Sequence, residues 1–493
     1  MGKDPDPVSP DKEILVSNQA ELNAAIAIAK PGDIIVMKDG TWTDVTIDFK
    51  AEASEAAKIT LQAQTSGKVI LNGSSTLIFS KPHLIVSGLL FKNGAITKKS
   101  TAVVIFNSDS CQLTNSAIVD YNPADFTTEY YWVFFHGSHN RMDHCFLTGK
   151  SNMQPVVQNN EEDARYNQVD HCYIKDIPFV KNANGREILR IFGYGHADQK
   201  GDDGAYFTIE YNLFDHAHGE GTEIVSLKSN HNIVRFNTVI ASKGGLVGRR
   251  GKFNTFEGNF IFGKGEEGTS GIRVAGPEHR IINNYVEGVT EDGLRLIAGE
   301  YFEKSLTPNF APKKKNLPKY LQVQNGYFAH NTFINCGENG INIGFSYKNH
   351  WPDLQMVLFP ENNRFVNNLV YNCLGNALNI EELDKTAPLD VFNFKPNYFE
   401  GNIVSGQKVC NISLPAGMFN TDPKLKLGSD GLYLLTPKSP AINAGVNSDE
   451  KDDMLGNMRD NKKDIGAEEF GGVKSTRHPL TPSEVGPNWM IKK

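Results

Sequence analysis

The sequence predicts an all-β chain, a single-stranded right-handed parallel β-helix with an N-terminal capping helix. Three observations predict it. An asparagine followed by two strand-forming residues recurs at Asn212 (NLF), Asn237 (NTV), Asn259 (NFI), Asn284 (NYV), Asn331 (NTF), Asn368 (NLV) and Asn402 (NIV). Each unit joins short β-rich pieces by tight polar turns and has too few apolar residues to bury a face alone, so neighbours must stack. An apolar fraction of 39% with 45 glycines suits a narrow core with many turns rather than long helices.

The elements follow in chain order. Residues 1–12, polar and proline-rich, read as a flexible segment. NQAELNAAIAIAKPGD then reads as a short amphipathic helix, with Asn18 and Glu21 at capping-box spacing, that covers the open strand edges at one end of a solenoid. The β-helix occupies 13–472. Upstream of the asparagines, DHCFL and DHCYI place Cys145 and Cys172 in the equivalent slot, about one coil apart. The shortest steps, Asn212 to Asn237 to Asn259 to Asn284, define a bare coil, and the longer steps beyond Asn284 are coils carrying inserted loops, where function tends to be built. Stacked asparagines hydrogen-bond from turn to turn. The last stretch, VKSTRHPLTPSEVGPNWMIKK (473–493), has no coil pattern and reads as a tail packed along the solenoid.

Composition excludes several classes of function. With 50 Lys+Arg against 57 Asp+Glu, a net charge of −7, the chain has no global basic field to hold nucleic acid or an anionic membrane. An anionic ligand needs a local basic patch. The six cysteines lie far apart with no CxxC pair, which reads as buried thiols rather than a zinc site or disulfide framework. The N-terminal stretch lacks a basic segment followed by an apolar one, and no apolar run approaches the roughly 20 residues of a membrane span.

A local basic patch is visible. Lys228 lies in an apolar β-like run, Arg249 and Arg250 stand side by side about one coil later, and Arg273 lies about one coil beyond Arg249. That spacing places Lys228, Arg249 and Arg273 on neighbouring rungs, about 4.8 Å apart and lining roughly 10 Å of one face. Like charges at that spacing repel unless an anion or a local carboxylate offsets them. A polyanionic chain laid along the solenoid does so. For a uronic-acid polymer the fitting chemistry is β-elimination, in which a cation neutralises the carboxylate, a base takes the adjacent proton and a donor assists the leaving oxygen. A lysine beside arginines can be the base, and an arginine can neutralise charge or assist departure.

At these residues, and from VSNQAELNAAIAIAKPGDIIVMKDGTW through GSHNRMDHCFLTGKSN and NGREILRIFG to LTPSEVGPNW, the chain resembles the family-six polysaccharide lyases, the alginate lyases and chondroitinase B. The resemblance implies that Lys228 is the Brønsted base and Arg249 the acid. It also implies that Arg273, in GIRV, binds substrate, which favours alginate over chondroitin-type chains. Many members hold a calcium with an asparagine of NGGE and both glutamates of ExE. Here Asn184 and Glu223 match, but Gly221 replaces the first glutamate and Glu220 is one residue off. Losing a carboxylate weakens a site for a hard divalent cation. Arg250 stands where the family usually has histidine, and Arg186 replaces a glycine beside Asn184. The expectation is that Arg186 and Arg250 bind substrate with the charge calcium supplies elsewhere, so that no cofactor is required. A bacterial enzyme of this kind is expected to be secreted or periplasmic, monomeric, and without nucleic-acid or membrane partners.

Other readings remain. A glycosaminoglycan lyase of the chondroitin or dermatan type fits the same resemblance. A β-helix glycoside hydrolase needs two carboxylates about 5 to 10 Å apart. Asp202 and Asp203 in KGDDG are the candidates, but they sit in a turn-like insertion and read as solvated loop charges. His216, His218, Glu220 and Glu223 in FDHAHGEGTE form a possible transition-metal cluster. The paired DHC segments are also metal-like, but their spacing favours stacked interior positions. A non-catalytic carbohydrate-binding solenoid would keep the basic face but has no need of Lys228.

Overall fold

A computed structural model describes residues 12–97, 101–159, 163–193, 201–301, 320–347, 350–351, 354–382, 395–472 and 476–490. Among these, nearly every regular element is a short strand, and the strands stack into three long parallel sheets. The first sheet has 14 strands, from Glu13–Val16 to Tyr398–Glu400. The second has 13, from Thr46–Phe49 to Lys408–Cys410, and the third 14, from Gly40–Thr43 to Met418–Asn420. The chain visits the second, first and third sheets in turn on each coil, as a right-handed parallel β-helix does.

Inward positions of all three sheets fill one continuous core of Val, Ile, Leu and Phe. Because coils stack in register, like side chains fall over like. The Phe79, Phe106 and Phe135 rings stack at centroid distances of 4.6 Å. The asparagines behave likewise at the turn between the first and third sheets. Asn212 donates through its backbone N–H and Nδ2 to Asn237 Oδ1 (both 3.0 Å), and the pattern continues through Asn259, Asn284, Asn331 and Asn368 to Asn402. Cys172 heads this ladder, its N–H donating to Asn212 Oδ1 (2.9 Å). All six cysteines are free. The DHC carboxylates of Asp143 and Asp170 hold the Arg141 guanidinium rather than a metal-like cluster.

The one α-helix among the described residues, Gln19–Ile28, buries Leu22, Ala25 and Ile26. It starts with the expected box: Glu21 N–H donates to Asn18 Oδ1 (3.0 Å) and Ser17 N–H to Glu21 Oε2 (2.7 Å). No helix among the described residues is long and apolar enough to cross a membrane.

The last coil strand is Met418–Asn420, and residues 421–472 do not continue the coils. They form an antiparallel pair, Leu425–Leu427 with Tyr433–Leu435, and loops whose Leu432, Met454 and Leu455 pack on Phe260, Phe262 and Tyr285 of the third sheet. Of the C-terminal tail, 476–490 runs back along the solenoid. Leu480 N–H donates to Thr238 Oγ1 (2.7 Å), Gly486 N–H to His171 O (2.7 Å) and Trp489 Nε1 to Asn115 O (2.9 Å). The expected flexible segment 1–12 lies, except for Lys12, outside the described residues.

Candidate active site

The site lies on the outer face of the second sheet, where Leu189–Ile191, Glu223–Lys228, Gly244–Arg250, Thr269–Val274 and Leu294–Ile297 are successive neighbours. Its register differs from the expected single column. A bulge between Leu227 and Lys228 puts Lys228 opposite Arg250, leaving Arg249 out of the pairing. Arg273 pairs with Val247 on one side and Arg295 on the other. Lys228, Arg249 and Arg273 are therefore not stacked at one position of three rungs. Two buried carboxylates bring them together instead.

Glu187, just before the strand Leu189–Ile191, is one of these. Its Oε1 accepts from Lys228 Nζ at 2.6 Å, and its Oε2 lies 3.3 Å from Arg190 Nη1. Lys228 Nζ also sits 5.2 Å from the centre of the Phe192 ring. Arg190 Nε donates to Gln158 Oε1 (2.7 Å), which fixes the guanidinium beside the lysine. The second carboxylate, Glu223, takes Arg273 Nη2 on Oε1, with Arg249 Nε 3.4 Å from the same oxygen, and Ser226 Oγ on Oε2. Burial alone would raise the Glu223 pKa, but Arg273, Lys228 and Arg249 outweigh it and hold the group below the usual glutamate value. The Arg249 guanidinium lies 3.7 Å from the centre of the Tyr320 ring, a cation–π contact that orients it. Arg250 is half-buried, and burial followed by the neighbouring Arg249 charge lowers its pKa.

Gly221 does not open the acidic cluster. At φ +81° it makes a tight turn, its N–H donating to His218 O (2.8 Å), and a Cβ there would come within 2.6 Å of the Phe179 ring. The turn carries Glu220 inward, where its Oε2 accepts from Gly185 N–H (2.7 Å) and its Oε1 from Thr222 Oγ1 (2.8 Å). One carboxylate oxygen each of Glu187, Glu220 and Glu223 then lies within 4.8 Å of the others. Burial, and next the charges of Glu187 and Glu223, raise the Glu220 pKa. Three carboxylates this close fit a hard divalent cation by donor chemistry, and the repulsion that Glu220 feels from the other two is the part the neighbouring cations leave unmet. Asn184, three residues before Glu187, is exposed.

Arg186 departs from its expected place. Its side chain is turned under the site and 2% exposed. Nε donates to Asn152 O (3.1 Å), Nη1 to Pro178 O and Gly219 O (both 3.2 Å), and Nη2 to Lys150 O (3.0 Å). Burial lowers its pKa to about 10, with Glu220 opposing. It ties three loops together and does not reach the basic face. Beneath it the fully buried Lys150 donates from Nζ to Asn152 O, Asn152 Oδ1, Met153 O and Gln154 O at 2.8 to 3.1 Å.

The rival constellations do not assemble. Asp203 is bound by Arg165, and Asp202 pairs with Lys252 at 3.0 Å, so both are ion-paired loop carboxylates. His216 Nδ1 lies 2.6 Å from Asp215 Oδ1, and His218 Nδ1 accepts from Lys243 N–H (3.2 Å). Neither histidine joins Glu220 and Glu223 in a potential metal-ligating group among the described residues. The residue that sequence reasoning missed is Glu187. Its signal was present as the last residue of NGRE, a carboxylate three positions after Asn184.

The sequence profile of the chondroitinase B family matches residues 16–424. The fold superposes on a PL6 family polysaccharide lyase from Pseudopedobacter saltans with a TM-score of 0.77 at 42% identity, covering 97% of this chain and 100% of that one. The PL6 alginate lyase AlyGC gives a TM-score of 0.77 at 28% identity over 98% of this chain, which spans 59% of that longer protein. A mannuronic-acid-specific family 6 lyase from human gut microbiota gives 0.69 at 26% identity, covering 83% of this chain and 91% of that one. No curated protein matches the chain. The chain belongs to the PL6, chondroitinase B-type family of polysaccharide lyases.

Proposed function

We propose that the protein is an alginate lyase in which Lys228 is the base and Arg249 the proton donor. The arrangement that carries this reading is the hanging of an amine and two guanidiniums on Glu187 and Glu223, within one face of one sheet. In β-elimination the proton on C5 of a 4-linked uronate passes to Nζ of Lys228 after that amine has released its own proton to solvent. The C–H electrons form the C4=C5 double bond, the C4–O bond breaks, and the leaving oxygen takes a proton from the Arg249 side. Arg273 and Arg250 neutralise the uronate carboxylate, which makes the C5 proton removable. Glu187 fixes where Nζ sits. Alginate is supported by two relatives above 25% identity, named an alginate lyase and a mannuronic-acid-specific lyase. The enzyme is read as a secreted or periplasmic monomer.

Glu187, Glu220 and Glu223 would hold a divalent cation, which when bound supplies positive charge beside the substrate carboxylate. Arg190, Arg249 and Arg273 already supply charge of that sign at the same carboxylates, so the reaction is read as proceeding without an added metal.

A glycosaminoglycan lyase is the second reading, favoured by the chondroitinase B description of the matching profile. The discriminating assay follows ultraviolet absorbance of unsaturated uronate on mannuronate blocks, guluronate blocks, mixed alginate, chondroitin sulfate and dermatan sulfate. Absorbance growth on alginate substrates alone is expected. Cleavage confined to dermatan or chondroitin sulfate would replace the alginate assignment.

A further inference from the structure

At the turn leading from the second sheet to the first, the coils from His83 to Phe253 each place one residue in the left-handed region, and the N–H groups of His83, Ser110, His139, Tyr166, His231 and Phe253 donate to the next coil. Along the middle of the solenoid these residues are rings. His139, Tyr166, Tyr206, His231 and Phe253 stack at centroid separations of 5.0, 4.9, 4.9 and 4.7 Å with interplanar angles of 15° or less. His231 is three residues after Lys228, so the ladder starts beside the catalytic rung and runs toward the N-terminus. It then loses one ring. The next equivalent position is Ser110 (φ +56°), and the one beyond is His83 (φ +64°).

One missing ring between two rungs leaves a slot about 9.6 Å deep from backbone to backbone, which admits one six-membered ring at stacking distance on each side. A cavity of about 330 Å³ lies there, lined by His83, Ser110 and His139 of the ladder together with Lys58, Arg141 and Asn140. Glu55, Gln112 and Gln168 complete its polar lining.

We propose that this slot is a second, non-catalytic carbohydrate site that takes one pyranose ring of a polysaccharide chain against the open face of His139. The ring occupies the place left by the small Ser110 side chain, and a uronate carboxylate faces Lys58. The Arg141 guanidinium is already shared between Asp170 and Asp143, so Lys58 is the cation available for charge. The slot lies about four rungs, roughly 19 Å, from the Lys228 coil, within reach of one oligosaccharide or of a neighbouring stretch of the same polymer. The inference rests on the family's polysaccharide substrate and not on the choice of alginate.

The test fills the slot. Ser110→Tyr completes the ladder at a φ that Tyr166 and Tyr206 already adopt, and His139→Ala removes the stacking face. Calorimetric titration uses saturated trisaccharides of alginate, dermatan and cellulose with the Lys228→Ala protein, alone and combined with either substitution. A second binding event is expected in Lys228→Ala and is expected to weaken at least tenfold in both combinations, while Ser110→Tyr alone leaves kcat on a trisaccharide unchanged. Loss for uronate and neutral sugars alike supports ring stacking as the main attraction. Loss for uronates alone supports the Lys58 contact. A single binding event in Lys228→Ala, or a second event that survives Ser110→Tyr, overturns the proposal.

Discussion

Replacing Arg186 separates two accounts of why a guanidinium stands beside Asn184. If it supplies charge to the substrate, Arg186→Lys preserves function and Arg186→Ala costs activity but not stability. The four carbonyl contacts point the other way. Asn152 O keeps Lys150 Nζ as a donor (2.9 Å) and Gly219 O keeps Val180 N–H (3.4 Å), but Pro178 O and Lys150 O have no other donor among the described hydrogen bonds. Each orphaned buried carbonyl costs about 1 to 3 kcal/mol, and the void left by the side chain adds to this. Relief of the guanidinium's own burial offsets part of the loss. The expected destabilisation for Arg186→Ala is about 3 to 5 kcal/mol, in the range reserved for broken buried networks. Lysine lacks the planar fork and reaches fewer carbonyls, so Arg186→Lys should lose at least half as much. Urea unfolding measures the total. Amide exchange at Gly185, whose N–H is bound by Glu220, tests whether the loss is local to the three loops, since a solenoid need not unfold as one unit. A loss below about 1 kcal/mol in both variants, with activity kept only by lysine, would refute the loop-tying role and restore the charge role.

Lys228→Ala should reduce turnover on alginate by at least about 10² to 10⁴ and also lower the unfolding midpoint, because buried Glu187 loses one of its two cations and keeps only Arg190; retention of more than a tenth of turnover would remove it from that role. Exhaustive chelation should leave most activity, since three guanidiniums already contact Glu187 and Glu223; abolition by chelator with recovery on added calcium would make Glu187, Glu220 and Glu223 a required metal site. Burial, against a hydrogen bond from Leu435 N–H, raises the Glu468 pKa to about 7, so the folded state holds this proton more tightly than the unfolded one. Stability should therefore fall as pH rises from the ordinary glutamate value toward 7, and Glu468→Gln should flatten that slope in thermal melts.

The fold was legible because solenoid stacking converts sequence spacing into space. Asn212, Asn237 and Asn259 recur at one-coil intervals in the chain, and in the structure Asn237 and Asn259 each accept two hydrogen bonds from the preceding member while Asn212 accepts one from Cys172 N–H. Asn284 and Asn331 are separated by far more chain than one bare coil yet bond identically, since an inserted loop lengthens the chain without moving the coil. The cations of the site were legible as a patch, but their relative placement was not. Counting along the chain from Lys228 to Arg249 assumes regular pairing, and the bulge before Lys228 shifts its partner to Arg250. Bulges leave no fixed mark in a single sequence. Arg186 was misplaced for a related reason: nothing in NGRE says whether a side chain at a loop end turns outward or beneath it.

The repulsion among like charges, the reason for expecting a polyanion in the first place, is met inside the protein. Lys228 and Arg190 share Glu187, while Arg249 and Arg273 share one oxygen of Glu223. Each carboxylate is nearly fully buried, so it cannot be screened by water and holds its cations at defined points. An arginine that already shares a buried carboxylate loses little conformational freedom when a uronate arrives, because its guanidinium is held before binding. The same pairing limits how strongly the resting site attracts anions from a distance, since three carboxylates, Glu220 included, offset most of the charge of the five cations that Arg250 completes. Binding energy then comes from short contacts made when the uronate carboxylate displaces water beside guanidiniums already in place, and those contacts serve the elimination step best when they tighten as charge builds on the carboxylate in the transition state.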